Sequence, residues 1–306
     1  MNWRQKGILQ NILSVVPFGT ALNDLLQIKW GGLRDIDSAV EEKFFNDWLV
    51  FCSLMKEIDL PIQELVFFEV GTGWFPVLPF CFSLAGAKKC LTYDINRHMN
   101  AQLTFKMVSI ISRFSKEISN VSLRQSLMIE SYCQQYLGSA DLHKLLEQAR
   151  IEYHAPADAT KTGLASESVD VLFSNSVLEH VPSQVIFKLM EESYRVLRKK
   201  GIIMHSVNCG DHYAYFDKNI TPINYLRYSE SDWKFWNNAL QFQNRLRPID
   251  FVESAKKAGF EILLYKYKPK PDLLNIVSSL KIAREFHNYS IDQICSTSVD
   301  FVAIKK

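Results

Sequence analysis

The sequence lacks a strong excess of charge of either sign. Its 306 residues include 35 lysine and arginine residues against 33 aspartate and glutamate residues, which gives a formal net charge of +2. Such a balance creates no overall field that would select nucleic acid over other partners. We therefore expect no nucleic-acid partner, and any anionic ligand has to be bound by local groups.

Long apolar runs and paired cysteines are also missing. The longest nearly apolar stretch, 74–87, contains Pro76 and Pro79. It is shorter than the about 20 apolar residues that a membrane-spanning helix needs, so no integral membrane segment is expected. The six cysteines are scattered without a CxxC pair, and several lie in apolar runs. This usage indicates buried thiols in a reducing compartment, so we expect a soluble, cytoplasmic protein.

The first 60 residues are predicted to be helical. Apolar side chains recur at the helical spacing of i, i+3, i+4 and i+7 at Leu9, Ile12, Leu13 and Val16. A second amphipathic run covers residues 39–58. We interpret 1–60 as an N-terminal helical cap or lid that packs against the main domain.

From about residue 64 onward, predicted strands and helices alternate. Strands are predicted at 65–70, 90–93, 151–154, 169–174, 201–207, 260–267 and 298–304. Helices are predicted at 76–85, 97–114, 182–197 and 249–258. This order favours an α/β fold with a doubly wound, mainly parallel sheet. One domain is expected over 61–306, with a helical insertion at 115–150 and a second, irregular insertion at 210–248.

The end of the first predicted strand carries a glycine loop, Glu69-Val70-Gly71-Thr72-Gly73. Glycines there let backbone N–H groups approach a ligand, and the following helix N-terminus favours a negative group. Asp94 ends the second strand 21 residues after Gly73, where a carboxylate can accept both hydroxyls of a ribose. The pattern also fits a nicotinamide-dependent oxidoreductase. However, Pro76 stands where a third glycine would allow the close pyrophosphate approach of that class.

Two further segments complete the pattern. Ala157-Asp158-Ala159 follows the third predicted strand, and Asn175–His180 follows the fourth. With the glycine loop they resemble class I S-adenosylmethionine-dependent methyltransferases, of the small-molecule, type 11-like branch, over about residues 60–305. The resemblance implies a Rossmann-like seven-stranded sheet with an antiparallel last strand, enzymatic methyl transfer, and S-adenosyl-L-methionine as cofactor. Trp74-Phe75-Pro76 is bulkier than that family's usual loop.

The resemblance also implies a role for each matching residue. The glycines would lie against the methionine part of the cofactor, and Glu69 would hold its amino group or order the loop. Asp94 would bind the ribose hydroxyls, and Asp158 would accept from the adenine amino group. The segment Asn175–Val181 would line the place where the methyl group is presented. The cofactor-binding residues carried over in this way are Glu69, Gly71, Thr72, Gly73, Asp94, Ile95, Asp158, Ala159, Asn175 and Ser176.

Methyl transfer to an alcohol also needs a group that removes a proton. His205 lies near the end of the fifth predicted strand, and Asp211-His212 follows it. Imidazole titrates near neutral pH, so we predict His212 as the base, oriented by Asp211, with His205 as a second catalytic candidate. A buried structural role for His205, and a metal bound by all three residues, are the alternatives. No metal is predicted, because the family usually needs none.

These observations predict methyl transfer to an oxygen, or less favourably to nitrogen or carbon, of a small-molecule or glycan-type acceptor. The aromatic and cationic side chains of 210–248 suit stacking on a sugar and binding of an anionic group. Nucleic-acid methylation is disfavoured, because Asn175-Ser176-Val177-Leu178 lacks the Pro-Pro-Tyr/Phe ending of base-methylating relatives. The competing hypotheses are a nicotinamide-dependent oxidoreductase and a non-catalytic methyltransferase-like binding protein.

Overall fold

The computed structural model describes residues 2–16 and 34–306. The predicted helical character of the first 60 residues holds for the described part, where helices cover Trp3–Val15 and Ile36–Glu42 and a π-helical turn, Lys43–Trp48, leads into Leu49–Glu57. The rest of that prediction falls on 17–33, outside the described residues. Among the described residues, no helix combines the length and the apolar character needed to cross a membrane.

The described residues form a seven-stranded sheet. The strands are β1 Val66–Val70, β2 Lys89–Tyr93, β3 Ile151–His154, β4 Val169–Asn175, β5 Leu197–Asn208, β6 Phe260–Pro269 and β7 Ser296–Lys305. Their order in the sheet is β3-β2-β1-β4-β5-β7-β6. Neighbours from β3 to β5 are parallel, whereas β7 runs antiparallel to both β5 and β6. This confirms the predicted mainly parallel sheet with an antiparallel last strand.

Helices cover both faces of the sheet and connect its strands. The predicted insertion 115–150 contains Ser115–Asn120, Ser126–Leu137 and Leu142–Gln148. The predicted irregular segment 210–248 contains only short helices, Tyr213–Phe216 and Glu230–Trp236. The remaining helices are Val77–Ala85, Ala101–Ile111, Ser183–Val196, Pro248–Lys257, Pro271–Ile276 and Ile291–Cys295.

Local capping explains where two of these helices begin and end. The helix predicted from residue 97 starts only at Ala101, because the Asn100 side chain accepts the Leu103 N–H at 3.0 Å and caps the first turn. The helix after the glycine loop ends at Ala85, as predicted. Gly86 follows with a φ of +110°, a left-handed conformation that favours glycine.

The apolar core has a layer on each face of the sheet. Adjacent residues of β1 point to opposite faces, so Phe67 packs with Phe82 and Phe173 on one side and Phe68 packs with Tyr93 on the other. The helices of 36–57 lie on the first face. The sheet is therefore covered on both sides, as parallel sheets require.

A third group of apolar residues joins the N-terminal helix to the 210–248 segment. We call Trp3, Tyr213, Trp233 and Trp236 the N-terminal aromatic cluster. Trp3 has ring-centroid distances of 5.4 Å to Tyr213 and 4.8 Å to Trp236. Its backbone N–H also donates to the Asp217 carboxylate at 3.0 Å. The first helix thus packs on the 210–248 segment.

Candidate active site

A cavity of about 490 Å³ opens at the carboxyl ends of β1, β2 and β4. In open α/β sheets, ligands bind at this end of the strands. A larger cavity of about 970 Å³ lies against β3, remote from the glycine loop. The predicted cofactor-binding residues that line the smaller cavity are Gly71, Gly73, Asp94, Ile95, Asp158, Ala159 and Ser176.

The glycine loop adopts a conformation that other residues rarely take. Gly71 and Gly73 have φ angles of +86° and +69°. A Cβ at Gly71 would overlap the Val177 side chain, whereas a Cβ at Gly73 would meet no atom within 4 Å. Gly71 is therefore needed for close packing of the loop against the segment after β4, and Gly73 leaves open space on the cavity side.

Two carboxylates frame the cavity and hold its loops. Asp94 accepts the N–H groups of Gly73 and Asn96, each at 2.9 Å, and so ties the end of β2 to the glycine loop. Asp158 accepts both the N–H and the hydroxyl of Thr160 at 2.8 Å. Because a carboxylate has about four lone-pair sites, each still has capacity for a ligand hydroxyl or amino group.

Three predicted cofactor residues lie behind the cavity wall. Glu69 is buried and accepts the Thr92 hydroxyl at 2.5 Å, and that hydroxyl also contacts Thr72. Burial raises the pKa of Glu69 to about 7, although the bond from Thr92 opposes this. Asn175 is half-buried at the end of β4, beside Asp47 of the π-helical turn. Glu69 thus orders the loop and does not line the cavity.

His205 is placed in the core, away from the cavity. It is fully buried in β5, its Nδ1 lies 2.7 Å from the Ser174 hydroxyl, and its ring packs on Phe301. Burial lowers the pKa of His205 to about 3. This position matches the structural alternative considered for His205.

The predicted pairing of Asp211 with His212 is not formed. The Asp211 carboxylate accepts the Tyr213 N–H at 2.9 Å and the Asn224 amide at 3.2 Å, which holds its own turn. Burial raises its pKa to about 6. The His212 ring instead lies 5.0 Å from the ring of His180. His205, Asp211 and His212 therefore do not converge on one point.

The structure assembles a different group, Glu179, His180 and His212. One potential ligand atom from each lies within 4.8 Å of the others, and His180 also lines the cavity. Burial raises the pKa of Glu179 to about 8. Burial, with smaller effects from His180 and Lys6, lowers the pKa of His212 to about 3. The sequence analysis placed Glu179 and His180 in the segment Asn175–Val181 and His212 among the candidate bases. His180 and His212 are 32 positions apart, and no pattern in the sequence indicates that they meet.

Two neighbouring amides bring these segments together. Asn244 donates through its side chain to the carbonyls of Leu178 and Val181 at 2.7 and 2.8 Å, and its N–H donates to the carbonyl of Glu179 at 2.7 Å. The Gln243 side chain accepts the His212 N–H at 3.1 Å. The loop before the helix Pro248–Lys257 therefore positions both parts of the group.

The two buried arginines of 210–248, which suggested anion binding in the sequence, stabilise the fold. Arg245 forms an ion pair with Glu230 at 2.6 Å. Arg247 is fully buried and donates to the carbonyl of Cys209 at 2.9 Å and to the Tyr225 hydroxyl at 3.0 Å. Because the N–H donors of both side chains bind groups of the fold, neither side chain is free to bind a methyl acceptor.

The strand order with an antiparallel β7 agrees with the class predicted from sequence. The glycine loop and the acidic residues after β2 and β3 line one cavity. A family model described as methyltransferase domain matches residues 122–205, which include β3, β4 and the Asn175–His180 segment. The fold and this match agree with the predicted class and indicate a methyltransferase that uses S-adenosyl-L-methionine as its cofactor. No protein of curated function matches the sequence significantly.

Solved structures with a similar fold include three described as methyltransferases. One is a putative S-adenosylmethionine-dependent methyltransferase from Listeria monocytogenes, 12% identical, with 83% of this chain and 96% of that chain covered and a TM-score of 0.42. Another is an S-adenosylmethionine-dependent methyltransferase from Mesorhizobium loti, with 14% identity, 82% and 96% coverage, and a TM-score of 0.45. The third is a putative sarcosine dimethylglycine methyltransferase from Galdieria sulphuraria, with 14% identity, 91% and 88% coverage, and a TM-score of 0.43. Nothing about the acceptor of this chain follows from these similarities.

Proposed function

We propose that this methyltransferase transfers its methyl group to an oxygen of a small-molecule or glycan-type acceptor. The observation that carries the proposal is the cavity at the carboxyl end of the sheet, whose wall passes from the glycine loop to His180. His212 lies beside His180, which places two imidazoles at the edge of the cofactor space. An acceptor held there would meet both the methyl donor and groups that assist loss of a proton.

The cofactor would lie along the cavity with its parts matched to local chemistry. In the proposal the glycine loop receives the methionine part, Asp94 accepts from the ribose hydroxyls, and Asp158 accepts from the adenine amino group. An apolar wall of the cavity is suited to a flat base. It consists of Val177, Val181, Pro182, Val185 and Leu189. Ile95, Ala159 and Ser176 complete the lining near the same ligand.

The reaction itself needs alignment and one proton transfer. A lone pair of the acceptor oxygen forms a bond to the methyl carbon, while the carbon–sulfur bond breaks and its electron pair passes to sulfur, which yields S-adenosylhomocysteine. The acceptor hydroxyl also gives up its proton. We propose that His180 and His212 assist this loss, because His180 lines the cavity and the His212 ring lies 5.0 Å from that of His180.

Exposed aromatic rings favour an acceptor with a flat or sugar-like face. Tyr215 is 61% exposed, and its ring lies 5.5 Å from that of His212. Phe216 next to it is 42% exposed. Rings that remain accessible beside the site can stack on a sugar or a planar acceptor, which supports the glycan-type or small-molecule class.

The cysteines support the expected cytoplasmic location. All six are free and buried. Reduced, buried thiols are the usual state in a reducing compartment, so we infer that the protein works in the cytoplasm.

Calorimetric titration tests the proposal first with the donor. S-adenosylmethionine and S-adenosylhomocysteine should each bind with one molecule per protein chain, and NADH should not bind. Binding of NADH without the sulfonium pair would favour the oxidoreductase alternative instead. Transfer of a labelled methyl group to a panel of hydroxylated small molecules and glycans then tests the acceptor. Transfer only to amines or carbon acids would refute the oxygen assignment.

A further inference from the structure

Glu179, His180 and His212 form a compact group of nitrogen and oxygen donors at the wall of the cofactor cavity. We propose that these three side chains bind a divalent transition-metal ion. The sequence predicted no metal, and the set considered there, His205, Asp211 and His212, does not converge. The proposed site shares only His212 with that set.

The spacing of the donors is close to what one ion requires. One ligand atom of each residue lies within 4.8 Å of the others. Zinc–nitrogen and zinc–oxygen bonds of about 2.0–2.2 Å place two ligands of one ion no more than about 4.4 Å apart. Small side-chain rotations therefore suffice to close the group around an ion.

Buried polar atoms without partners point into this group. Glu179 is 1% exposed, and neither of its carboxylate oxygens has a hydrogen-bond partner among the described residues. The backbone N–H groups of Glu179 and Asn208 approach it without reaching hydrogen-bond geometry. The buried Nε2 of His212 is unpartnered in the same sense. Buried polar groups are nearly always satisfied, and one cation would satisfy all of these atoms.

Lys6 does not replace such an ion. Lys6 is close enough to lower the pKa of His212, but its ammonium lies over aromatic rings, 5.1 Å from the centre of Phe216 and 6.0 Å from that of Tyr213. No ion pair joins Glu179 to a lysine or arginine in the described part of the chain. The carboxylate thus lacks a partner of opposite charge.

His180 is held in the form that a metal needs. Its Nδ1 lies 2.6 Å from the carbonyl oxygen of Phe242. Because a carbonyl only accepts, Nδ1 carries the proton and Nε2 keeps its lone pair. A bond from the second ring nitrogen to a backbone carbonyl is the usual outer contact of a metal-binding histidine, and it fixes the ring orientation.

The donor set selects the kind of ion. Two imidazole nitrogens and one carboxylate suit Zn²⁺, Co²⁺, Mn²⁺ or Fe²⁺, whereas Mg²⁺ and Ca²⁺ prefer oxygen ligands alone. Three protein ligands leave coordination positions open, and His180 faces the cavity. If the proposed function holds, the acceptor oxygen would take an open position. Coordination would lower the pKa of its hydroxyl, and the proton would pass to solvent.

Cobalt binding to metal-stripped protein tests the site without any turnover assay. Titration of the full chain with Co²⁺, followed by visible absorption, should give one equivalent with the intense bands of a nitrogen-containing, low-coordinate site, and calorimetry with Zn²⁺ should give the same stoichiometry. His180→Ala and His212→Ala should each weaken binding at least tenfold. His143→Ala, at an exposed histidine on the helix Leu142–Gln148, is the matched control and should bind as the wild type does.

Each result decides the proposal. A wild-type spectrum that remains that of hydrated Co²⁺ overturns it, and so does a His212→Ala protein that melts as the wild type does and binds Co²⁺ equally well. If His212→Ala fails to fold, the wild-type spectrum and the exposed His180→Ala variant still decide. S-adenosylhomocysteine titrated into the metal-stripped protein separates the two proposals. Cofactor binding without Co²⁺ binding overturns the metal site alone, whereas Co²⁺ binding without cofactor binding contradicts the proposed function alone.

Discussion

Removal of the Asp94 carboxylate should weaken cofactor binding by a predictable amount. Each of its oxygens accepts a backbone N–H group at 2.9 Å, one from Gly73 and the other from Asn96. A bound ribose would add hydrogen bonds to a charged acceptor, which contribute about 1.5–3 kcal/mol. Asp94→Ala should therefore raise the Kd for S-adenosylhomocysteine by about ten- to 150-fold.

Calorimetry with an altered ligand shows whether the ribose is the partner. Wild-type protein should lose affinity when S-adenosylhomocysteine is replaced by its 2′-deoxy analogue. The Asp94→Ala protein should bind the two ligands almost equally, because the group that recognises the hydroxyl is gone. This coupling energy isolates the contact, provided that each change removes the interaction without adding another.

A conservative variant controls for damage to the loop. Asp94→Asn keeps the size of the side chain and one oxygen acceptor, so it should retain more of the loop geometry than Asp94→Ala. Thermal melting of the free proteins should show that both variants fold. If Asp94→Ala melts normally and loses the same affinity for both ligands, Asp94 does not bind the ribose and acts through the loop alone.

Three further results are expected. Gly71→Ala should lower both stability and cofactor affinity, because its Cβ would overlap Val177. Gly73→Ala should lower stability by only about 1–2 kcal/mol, the cost of a left-handed backbone for alanine, and should still impair cofactor binding at the cavity. Equal melting temperatures of the two variants would contradict this difference. The pKa of His205, lowered to about 3 by burial, lies below the unfolded value of about 6.5. Between these two pKa values the unfolded chain binds a proton at His205 and the folded chain does not. The contribution of His205 to the free energy of unfolding is therefore present above pH 6.5 and falls by about 2 kcal/mol between pH 6.5 and 5. Urea unfolding of His205→Gln should lack this part of the pH dependence, and an unchanged dependence would refute the reasoning. Trp3→Ala should cost about 3–5 kcal/mol in urea unfolding by opening the N-terminal aromatic cluster, whereas Leu9→Ala, at a residue 43% exposed on the same helix, should cost far less; equal losses would show that the cluster does not anchor the helix.

The cavity at the carboxyl ends of the strands was predictable because it depends on local signals. Alternating strands and helices indicate a parallel sheet, and the carboxyl ends of parallel strands meet at one edge. Residues that directly follow such strands, including Gly73, Asp94 and Asp158, are therefore brought together whatever the rest of the chain does. The structure places all three at one cavity. Helix boundaries were less predictable, since the Asn100 side chain sets the start of its helix through one hydrogen bond.

Some side chains that the sequence suggested for catalysis or anion binding are packed inside the fold. His205 stands near the end of a strand, as a catalytic residue would, but its side chain points into the core beside Ser174. Arg245 and Arg247 have the charge to bind an anion, yet they satisfy carbonyls and carboxylates of the fold. Residue type and strand position do not reveal which face of an element is covered by another.

The sequence by itself determined the α/β sheet, the glycine loop and the acidic residues at the strand ends, because periodicity, backbone freedom and strand direction act over short distances along the chain. Only the tertiary structure decided which side chains stand at the wall of the cavity beside the glycine loop. Glu179 and His180 meet His212 because Gln243 and Asn244 bond to both turns. That contact joins segments separated by more than 30 positions, and no local pattern states how an irregular loop returns to the sheet.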